Sequence, residues 1–300
     1  MKIFTGTSNK PLAQNLAKNL SLELSQVEVF IFPDGEKRVR ILDKVLNEDV
    51  FAVQSTSAPT DENYMELFFI IDALKRAGAK SITAIVPYFG YQRQDHMFRE
   101  GEAVSVKVIA EILEKLGVNK LIAIDLHSVK IEEAFNIPVV HLSALSIFAK
   151  FIKEKKWDKD SATLVSPDMG GVRRIKILSK MLNNMSFAAI EKNRDLATGK
   201  VTASKIEGKL NKRAIIVDDM ISSGGTIVMA ANLLRKNGVK EIQVFATHPV
   251  LSKDAPKILQ ESGVDSIYLT DTIFIPKNKQ FQKLHSLSVS ALIAESIKSS

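Results

Sequence analysis

Four segments of the chain share one order of apolar and polar positions. Each begins with a helical pattern, continues through a glycine and two or three polar residues, and ends in a short apolar run. The segments are residues 74–87, 113–125, 234–247 and 259–271. Their glycines are Gly78, Gly117, Gly238 and Gly263. A glycine at this place is typical of the left-handed residue that ends a helix, and the β-branched run after it predicts a buried parallel strand.

This recurrence predicts the fold class. Helices that alternate with short apolar strands indicate βα units, so we expect an α/β protein with mainly parallel sheets flanked by helices. Residues 146–161 are predicted to form an amphipathic helix and a polar turn, and a second series of units begins at Ala162. Because 300 residues suit two domains of ordinary size, we place the domains at 1–145 and 146–300.

Polar, charged and glycine-rich residues gather directly after the predicted strands. These stretches are residues 88–95, 126–128, 167–171, 218–226 and 248–250. In open parallel sheets, ligands bind beyond the carboxyl ends of the strands. The sequence therefore predicts a binding site built from these stretches.

Composition narrows the class of protein. Hydrophobic residues make up 45% and charged residues 25%, which indicates a folded, soluble chain. The sequence contains no cysteine, so disulfides, thiolate metal sites and cysteine nucleophiles are excluded. No apolar run approaches the ~18 residues of a membrane span, and the N-terminus has no signal-peptide core, so we expect a cytoplasmic protein.

The charge balance leaves two kinds of partner open. Lys and Arg number 41 against 34 Asp and Glu, a net charge of +7. Such an excess suits either a nucleic-acid binder or an enzyme that acts on phosphorylated small molecules. Because the lysines are spread through surface-like segments, nucleic-acid binding is the weaker interpretation.

The strongest local pattern is a strand, two acids and a small-residue loop over residues 214–226. Glycines let backbone N–H groups converge, and the N-terminus of the following helix adds partial positive charge, as a phosphate requires. Carboxylates would repel that phosphate, so Asp218 and Asp219 should face sugar hydroxyls or a metal. A ribose 5-phosphate satisfies both halves. The alternative is a plain strand–turn–helix with capping serines and an exposed acid pair.

This loop resembles the phosphoribosyl-binding loop of the type I phosphoribosyltransferase fold, so two similar domains of that fold are expected. Other segments are similar, in the same order, to those of the ribose-phosphate pyrophosphokinase family, which makes phosphoribosyl pyrophosphate and AMP from ATP and ribose 5-phosphate with magnesium. They are residues 32–36, 54–67, 87–95, 125–128, 166–174 and 246–249. The resemblance implies an enzyme of nucleotide biosynthesis.

The same resemblance assigns roles to individual residues. It implies a catalytic pair on a mobile segment, Lys192 and Arg194. The residues that it assigns to ribose 5-phosphate are Arg194, Asp218, Asp219, Ser222, Ser223, Gly224, Gly225 and Thr226. The residues that it assigns to ATP are Phe32, Asp34, Gly35, Glu36, Arg93 and Gln94. It associates Mg²⁺ with His127 and Asp168. Because the family's 32–36 loop comes from a neighbouring subunit, a homo-oligomer is expected.

Two rival functions use the same segments. A phosphoribosyltransferase would need a nucleobase and no ATP, and the ATP-type segments argue against it. A non-catalytic regulatory relative would assemble with an active enzyme, and retention of both Lys192 and Arg194 argues against that. The sequence lacks a GxxxxGK[ST] loop, so any ATP must be held in another way.

Overall fold

The computed structural model describes residues 1–159, 162–194 and 201–299, without the side chains of residues 192–194 and 201–204. The chain forms two compact units. The first comprises Met1–Ser143, Thr272–Phe274 and Ser288–Ser300, and the second comprises Ala144–Asp271 and Ile275–Leu287.

The first unit is built on an all-parallel sheet. The strands of the first unit are β1 (Lys2–Thr5), β2 (Val27–Ile31), β3 (Lys37–Ile41), β4 (Asp49–Val53), β5 (Ser81–Val86), β6 (Lys120–Ile124) and β7 (Val139–Leu142). Its helices include α1 (Lys10–Asn19), α2 (Thr60–Arg76) and α3 (Ser105–Leu116). The sheet order is β1-β4-β5-β6-β7, and β2 and β3 form a separate antiparallel hairpin.

The second unit contains a seven-stranded sheet. Its strands are β8 (Ala162–Ser166), β9 (Phe187–Arg194), β10 (Val201–Gly208), β11 (Arg213–Ile221), β12 (Glu241–Pro249), β13 (Ser266–Thr270) and β14 (Leu284–Leu287). Its helices are α4 (Leu145–Glu154), α5 (Val172–Met181), α6 (Gly225–Lys236) and α7 (Ala255–Glu261). The order is β10-β9-β8-β11-β12-β13-β14, and only the β9–β10 pair among these strands is antiparallel.

The predicted helix–glycine–strand units are present, with one difference. Gly78, Gly117 and Gly238 have φ of +85°, +109° and +85°, as a left-handed helix end requires. The prediction for Gly263 is wrong: α7 ends at Glu261, the next residue is Ser262, and Gly263 does not have a positive φ. Ser262 is extended, at φ −72° and ψ 166°, and its hydroxyl donates to the carbonyl of Leu259 at 2.6 Å.

The last helix, α8 (Ser290–Lys298), belongs to the first unit although it follows the second in sequence. It packs against α1, where the Asn19 side-chain amide donates to the Ser290 hydroxyl at 2.9 Å. The division after Ser143 lies close to the predicted boundary at 145. A single cut there nevertheless places residues 272–274 and 288–300 in the wrong unit of this structure.

Within the described ranges, no helix is both long enough and apolar enough to span a membrane.

Candidate functional site

The order of strands in the second unit creates a crevice between β8 and β11. The chain leaves β8 toward β9 on one side, and it later returns to the other side as β11. At such a reversal the loops after the two strands part, and ligands bind there in open α/β sheets. Asp168 follows β8, and Asp218 and Asp219 lie in the last part of β11. The topology thus brings the predicted acids to a place suited to a ligand.

Both carboxylates of the acid pair are largely buried. The side chains of Asp218 and Asp219 are 14% and 8% exposed. The backbone N–H of Asp219 donates to Asp218 Oδ1 at 2.9 Å, and that of Met220 donates to Asp219 Oδ1 at 2.9 Å. A carboxylate oxygen can accept more than one hydrogen bond, so the pair can also accept from sugar hydroxyls.

Arg174 on α5 faces this pair. Its Nη1 lies 3.4 Å from Asp218 Oδ1, and its Nη2 lies 3.7 Å from Asp219 Oδ2. A guanidinium presents several N–H donors in a rigid plane, so one arginine can face two carboxylates. Arg174 therefore offsets part of the negative charge that burial concentrates here.

The pKa of Asp218 is raised well above its usual value of 3.8. Burial is the main cause, followed by the negative charge of Asp219 and a hydrogen bond with it; Arg174 acts in the opposite direction. Asp168 adds a further small increase, so its carboxylate also acts on this site. Hydroxyl donors or a cation beside Asp218 would favour its charged form.

The backbone of the loop after β11 has the features of a phosphate-binding loop. Gly224 is buried at φ +81° and directly precedes α6, whose first residue Gly225 is exposed. Ser222 is tied down, since its hydroxyl lies 3.2 Å from that of Ser252 and its carbonyl accepts from the Ser252 N–H at 3.0 Å. Ser223 is exposed and Thr226 half-buried. An anchored loop at the N-terminus of a 12-residue helix suits an anion.

The two residues predicted to be associated with metal lie in different units. Asp168 accepts the Gly171 N–H at 3.2 Å, at the start of α5, in the second unit. His127 is exposed in the first unit, and its backbone N–H donates to the side chain of Gln92 at 3.0 Å. Within the described parts of the chain, no three His, Asp or Glu side chains form a group that could enclose a metal ion. Both assignments stay predictions.

Residues 32–36 form the tip of the β2–β3 hairpin. All five are exposed. The tip is closed by the Phe32 N–H, which donates to the Glu36 carbonyl at 2.8 Å, and by the Glu36 N–H, which donates to Asp34 Oδ1 at 3.1 Å. Gly35 has φ +93°, a conformation that glycine adopts without strain. The rings of Phe30 and Phe32 meet edge to face at 5.1 Å, so an aromatic surface stands in solvent.

Arg93 and Gln94 line a cavity of about 570 Å³ in the first unit. Its other lining residues are Thr60, Asp61, Tyr88, Gly90 and Tyr91. The tyrosine rings and the Gly90 backbone give it partly apolar walls, while the charged groups lie at its rim. Such a cavity is large enough for a nucleotide base or sugar.

Lys192 and Arg194 lie at the end of β9. Their backbone pairs with β10, with Ala203 opposite Lys192 and Val201 opposite Arg194. Their side chains lie outside the described residues, as do residues 195–200. Taken alone, the sequence of residues 191–200 indicates a basic surface turn. The described part of that segment, residues 191–194, belongs to strand β9.

Two residues, one in each unit, contact predicted site residues but were not assigned from sequence. Arg174 lies four residues before Leu178, on the edge of the buried face of α5, and this helical spacing is a signal that could have found it. Gln92 is buried and joins the 91–95 loop to His127. No periodicity marks Gln92, because it lies in a turn.

Comparisons with known proteins agree along the whole chain. A model described as the N-terminal domain of ribose phosphate pyrophosphokinase matches residues 1–117, and a phosphoribosyl synthetase-associated domain model matches residues 173–299. The ribose-phosphate pyrophosphokinase of Fusobacterium nucleatum is 40% identical over 99% of this chain and 94% of its own. That of Caldanaerobacter subterraneus is 41% identical over 99% and 93%. The crystal structure of phosphoribosylpyrophosphate synthetase from Mycobacterium smegmatis superposes with a TM-score of 0.92, at 36% identity over 99% of this chain and 97% of that one.

Proposed function

Because the chain belongs to the ribose-phosphate pyrophosphokinase family, we propose that it transfers the β,γ-pyrophosphoryl group of ATP to the 1-hydroxyl of ribose 5-phosphate. The products are phosphoribosyl pyrophosphate and AMP. The observation that carries this proposal is the juxtaposition, at the reversal of strand order, of a buried acid pair and a glycine loop that opens a helix.

The proposal divides ribose 5-phosphate between two parts of the second unit. The loop 222–226 holds the 5-phosphate through backbone N–H groups and hydroxyls at the start of α6. Asp218 and Asp219 accept hydrogen bonds from the ribose hydroxyls, and their burial makes those bonds strong. Arg174 favours the charged form of Asp218 in this role.

The nucleotide is assigned to the first unit. Arg93 and Gln94 contact ATP from the rim of the cavity that they line, and Phe32, Asp34, Gly35 and Glu36 contribute from the hairpin tip. The tip exposes an aromatic pair and a turn in the single chain. This exposure supports a homo-oligomer in which the tip completes the ATP site of a neighbouring subunit.

Mg²⁺ fits the donors of this chain. The ion is usually held by one or two carboxylates together with substrate phosphates and water, so a protein site of three acidic side chains is not required. In the second unit Asp168 would supply such a carboxylate, and His127 of the first unit remains a separate predicted donor. When bound, the ion neutralises charge on the phosphates of ATP.

The transfer needs cations where charge develops. The bond between the ribose O1 and the β-phosphorus forms, the bond from that phosphorus to the oxygen of the α-phosphate breaks, AMP leaves, and the hydroxyl proton is lost to solvent. Lys192 and Arg194 stabilise the negative charge on the transferred group, and Arg194 also contacts ribose 5-phosphate.

The direct test is AMP formation from ATP, Mg²⁺ and ribose 5-phosphate. We expect turnover that depends on all three, with no requirement for a nucleobase. Lys192→Ala should lower kcat at least about 10²-fold with little change in ATP affinity, because the lysine acts on the transition state. Lys205→Ala, an exposed position on the neighbouring strand, is the matched control. Near-normal turnover by Lys192→Ala would remove that residue from the mechanism.

A further inference from the structure

The β2–β3 hairpin is attached to the first unit along one face. Burial alternates along β3, so that Lys37, Val39 and Ile41 are half-buried while Arg38 and Arg40 are exposed. Val39 and Ile41 pack against the hydrophobic core of the unit. Successive residues of a strand point to opposite faces, which makes Lys37 the inward position adjacent to the loop 32–36.

Among the residues of this hairpin, Lys37 makes the buried contact that lies nearest to the loop 32–36. Its Nζ lies 2.8 Å from Glu66 Oε2 on α2, and the two side chains are only 10% and 1% exposed. Across the hairpin, Ile31 pairs with Lys37 but is 58% exposed, and Phe30 is 43% exposed. The position of the loop relative to α2 therefore depends on Lys37.

The partner carboxylate is itself held firmly. Glu66 Oε1 accepts the backbone N–H of Thr7 at 2.5 Å and the Gln54 side-chain amide at 3.2 Å. The Thr7 hydroxyl lies 2.8 Å and 2.9 Å from the two carboxylate oxygens. A buried carboxylate with this many donors has one orientation, and loss of its cation would leave buried charge uncompensated. Glu66 is thus a fixed point to which Lys37 attaches the hairpin.

We propose that the Lys37–Glu66 ion pair holds the loop 32–36 in the position that receives ATP. The inference rests on the proposed function for the role of the loop. Lys37 is a positioning residue: its ammonium is directed into the unit and acts on ATP through the adjacent Glu36 and the rest of the tip.

The experiment compares Lys37→Met with the wild-type full-length protein. Hydrogen–deuterium exchange should quicken in peptides covering residues 27–41 and stay unchanged in β11. In the AMP assay, the KM for ATP should rise about tenfold or more, because a loop displaced by an ångström loses contacts. The kcat at saturating ATP and the KM for ribose 5-phosphate should stay within about twofold of wild type.

Two further variants separate positioning from general damage. Lys37→Arg keeps the cation and should retain most of the ATP affinity. Lys37→Gln keeps an N–H donor and serves if Lys37→Met does not fold; we expect an intermediate KM for ATP. The control is Lys80→Met, which removes an exposed lysine of the same unit and should behave as wild type.

Each outcome decides a separate claim. Unchanged exchange over residues 27–41 would overturn the anchoring role of Lys37, whatever the activity. Faster exchange with an unchanged KM for ATP, or an equal loss in kcat and in affinity for both substrates, would overturn the positioning role. A wild-type protein that forms no AMP would refute the proposed function instead, and exchange would still decide the anchoring.

Discussion

At the scale of single residues, protonation of Asp218 couples the candidate site to the stability of the folded protein. Burial and the adjacent Asp219 raise the pKa of Asp218, so above pH 3.8 this residue binds more protons in the folded protein than in the unfolded chain. The contribution of Asp218 to the free energy of unfolding therefore falls as pH rises from 3.8 through the higher folded-state pKa. Each unit by which the folded-state pKa exceeds 3.8 corresponds to about 1.4 kcal/mol of unfolding free energy.

Asp218→Asn should remove this dependence. The amide carries no charge, so we expect the variant to unfold at a higher temperature than wild type at pH 7 and to show a flatter pH profile, while ribose 5-phosphate turnover is largely lost. Thermal unfolding between pH 4 and pH 8 is the measurement. Asp254→Asn, at an exposed acid of the same unit, is the control. Parallel pH profiles for wild type and Asp218→Asn would contradict this account.

The same residues show how far sequence reasoning reached. Asp218, Asp219 and Gly224 could be predicted to lie together because a strand, two acids and glycines stand consecutively, and the chain itself sets their proximity. Arg174 lies 44 residues before Asp218, and only the pairing of β8 with β11 brings the two side chains together. Glu66 interrupts an apolar run in the sequence, yet in the structure it shares the buried face of α2 with Asn63, Leu67 and Ile70. Its partners come from other elements, which periodicity does not reveal.

At the scale of elements, the join between β11 and α6 depends on one glycine of the two. Gly224 has φ +81°, and a Cβ there would lie 3.2 Å from the Leu259 side chain. Gly225 has an ordinary φ, and its Cβ would meet nothing closer than the Ser223 hydroxyl at 3.8 Å. The two glycines look alike in sequence but differ in what they tolerate.

Gly224→Ala should therefore destabilise the protein, and Gly225→Ala should not. A left-handed alanine costs roughly 1–2 kcal/mol, and the tight contact with Leu259 adds to this. Alanine at the first helical position is accepted, so Gly225→Ala should stay within about 0.5 kcal/mol of wild type. Denaturant unfolding of both variants tests the difference. Equal unfolding free energies would show that the loop adapts and that Gly224 is not conformationally required.

Repeated elements were predictable where local chemistry decides them. Three of four helix ends have their left-handed glycine, and the strands after all four are buried and parallel. Gly263 is not a left-handed helix end, because α7 ends at Glu261 and is followed by the extended Ser262. The antiparallel β9–β10 pair was missed because the last residues of β9, 191–194, are polar, and polar residues give no signal for a strand.

At the scale of the whole molecule, the chain returns to its first unit at its C-terminus. Ile293 and Ile297 lie on the buried face of α8, and Lys298 Nζ donates to the Asn19 carbonyl at 3.0 Å on α1. The pattern of α8 shows that it has an apolar face, but nothing local to residues 290–298 tells which unit covers that face. For this reason a linear boundary at 145 misplaces it.

This connection predicts where damage to α8 will appear. Ile293→Ala removes a fully buried side chain, which typically costs about 2–5 kcal/mol, and the loss should fall on the first unit. Hydrogen–deuterium exchange should quicken in α1, over residues 10–19, and remain at wild-type rates in β11 and β12. Glu295→Ala, at an exposed position of the same helix, should leave both regions unchanged. Faster exchange in β11 and β12 with a protected α1 would mean that α8 stabilises the second unit instead, and that its assignment to the first is wrong.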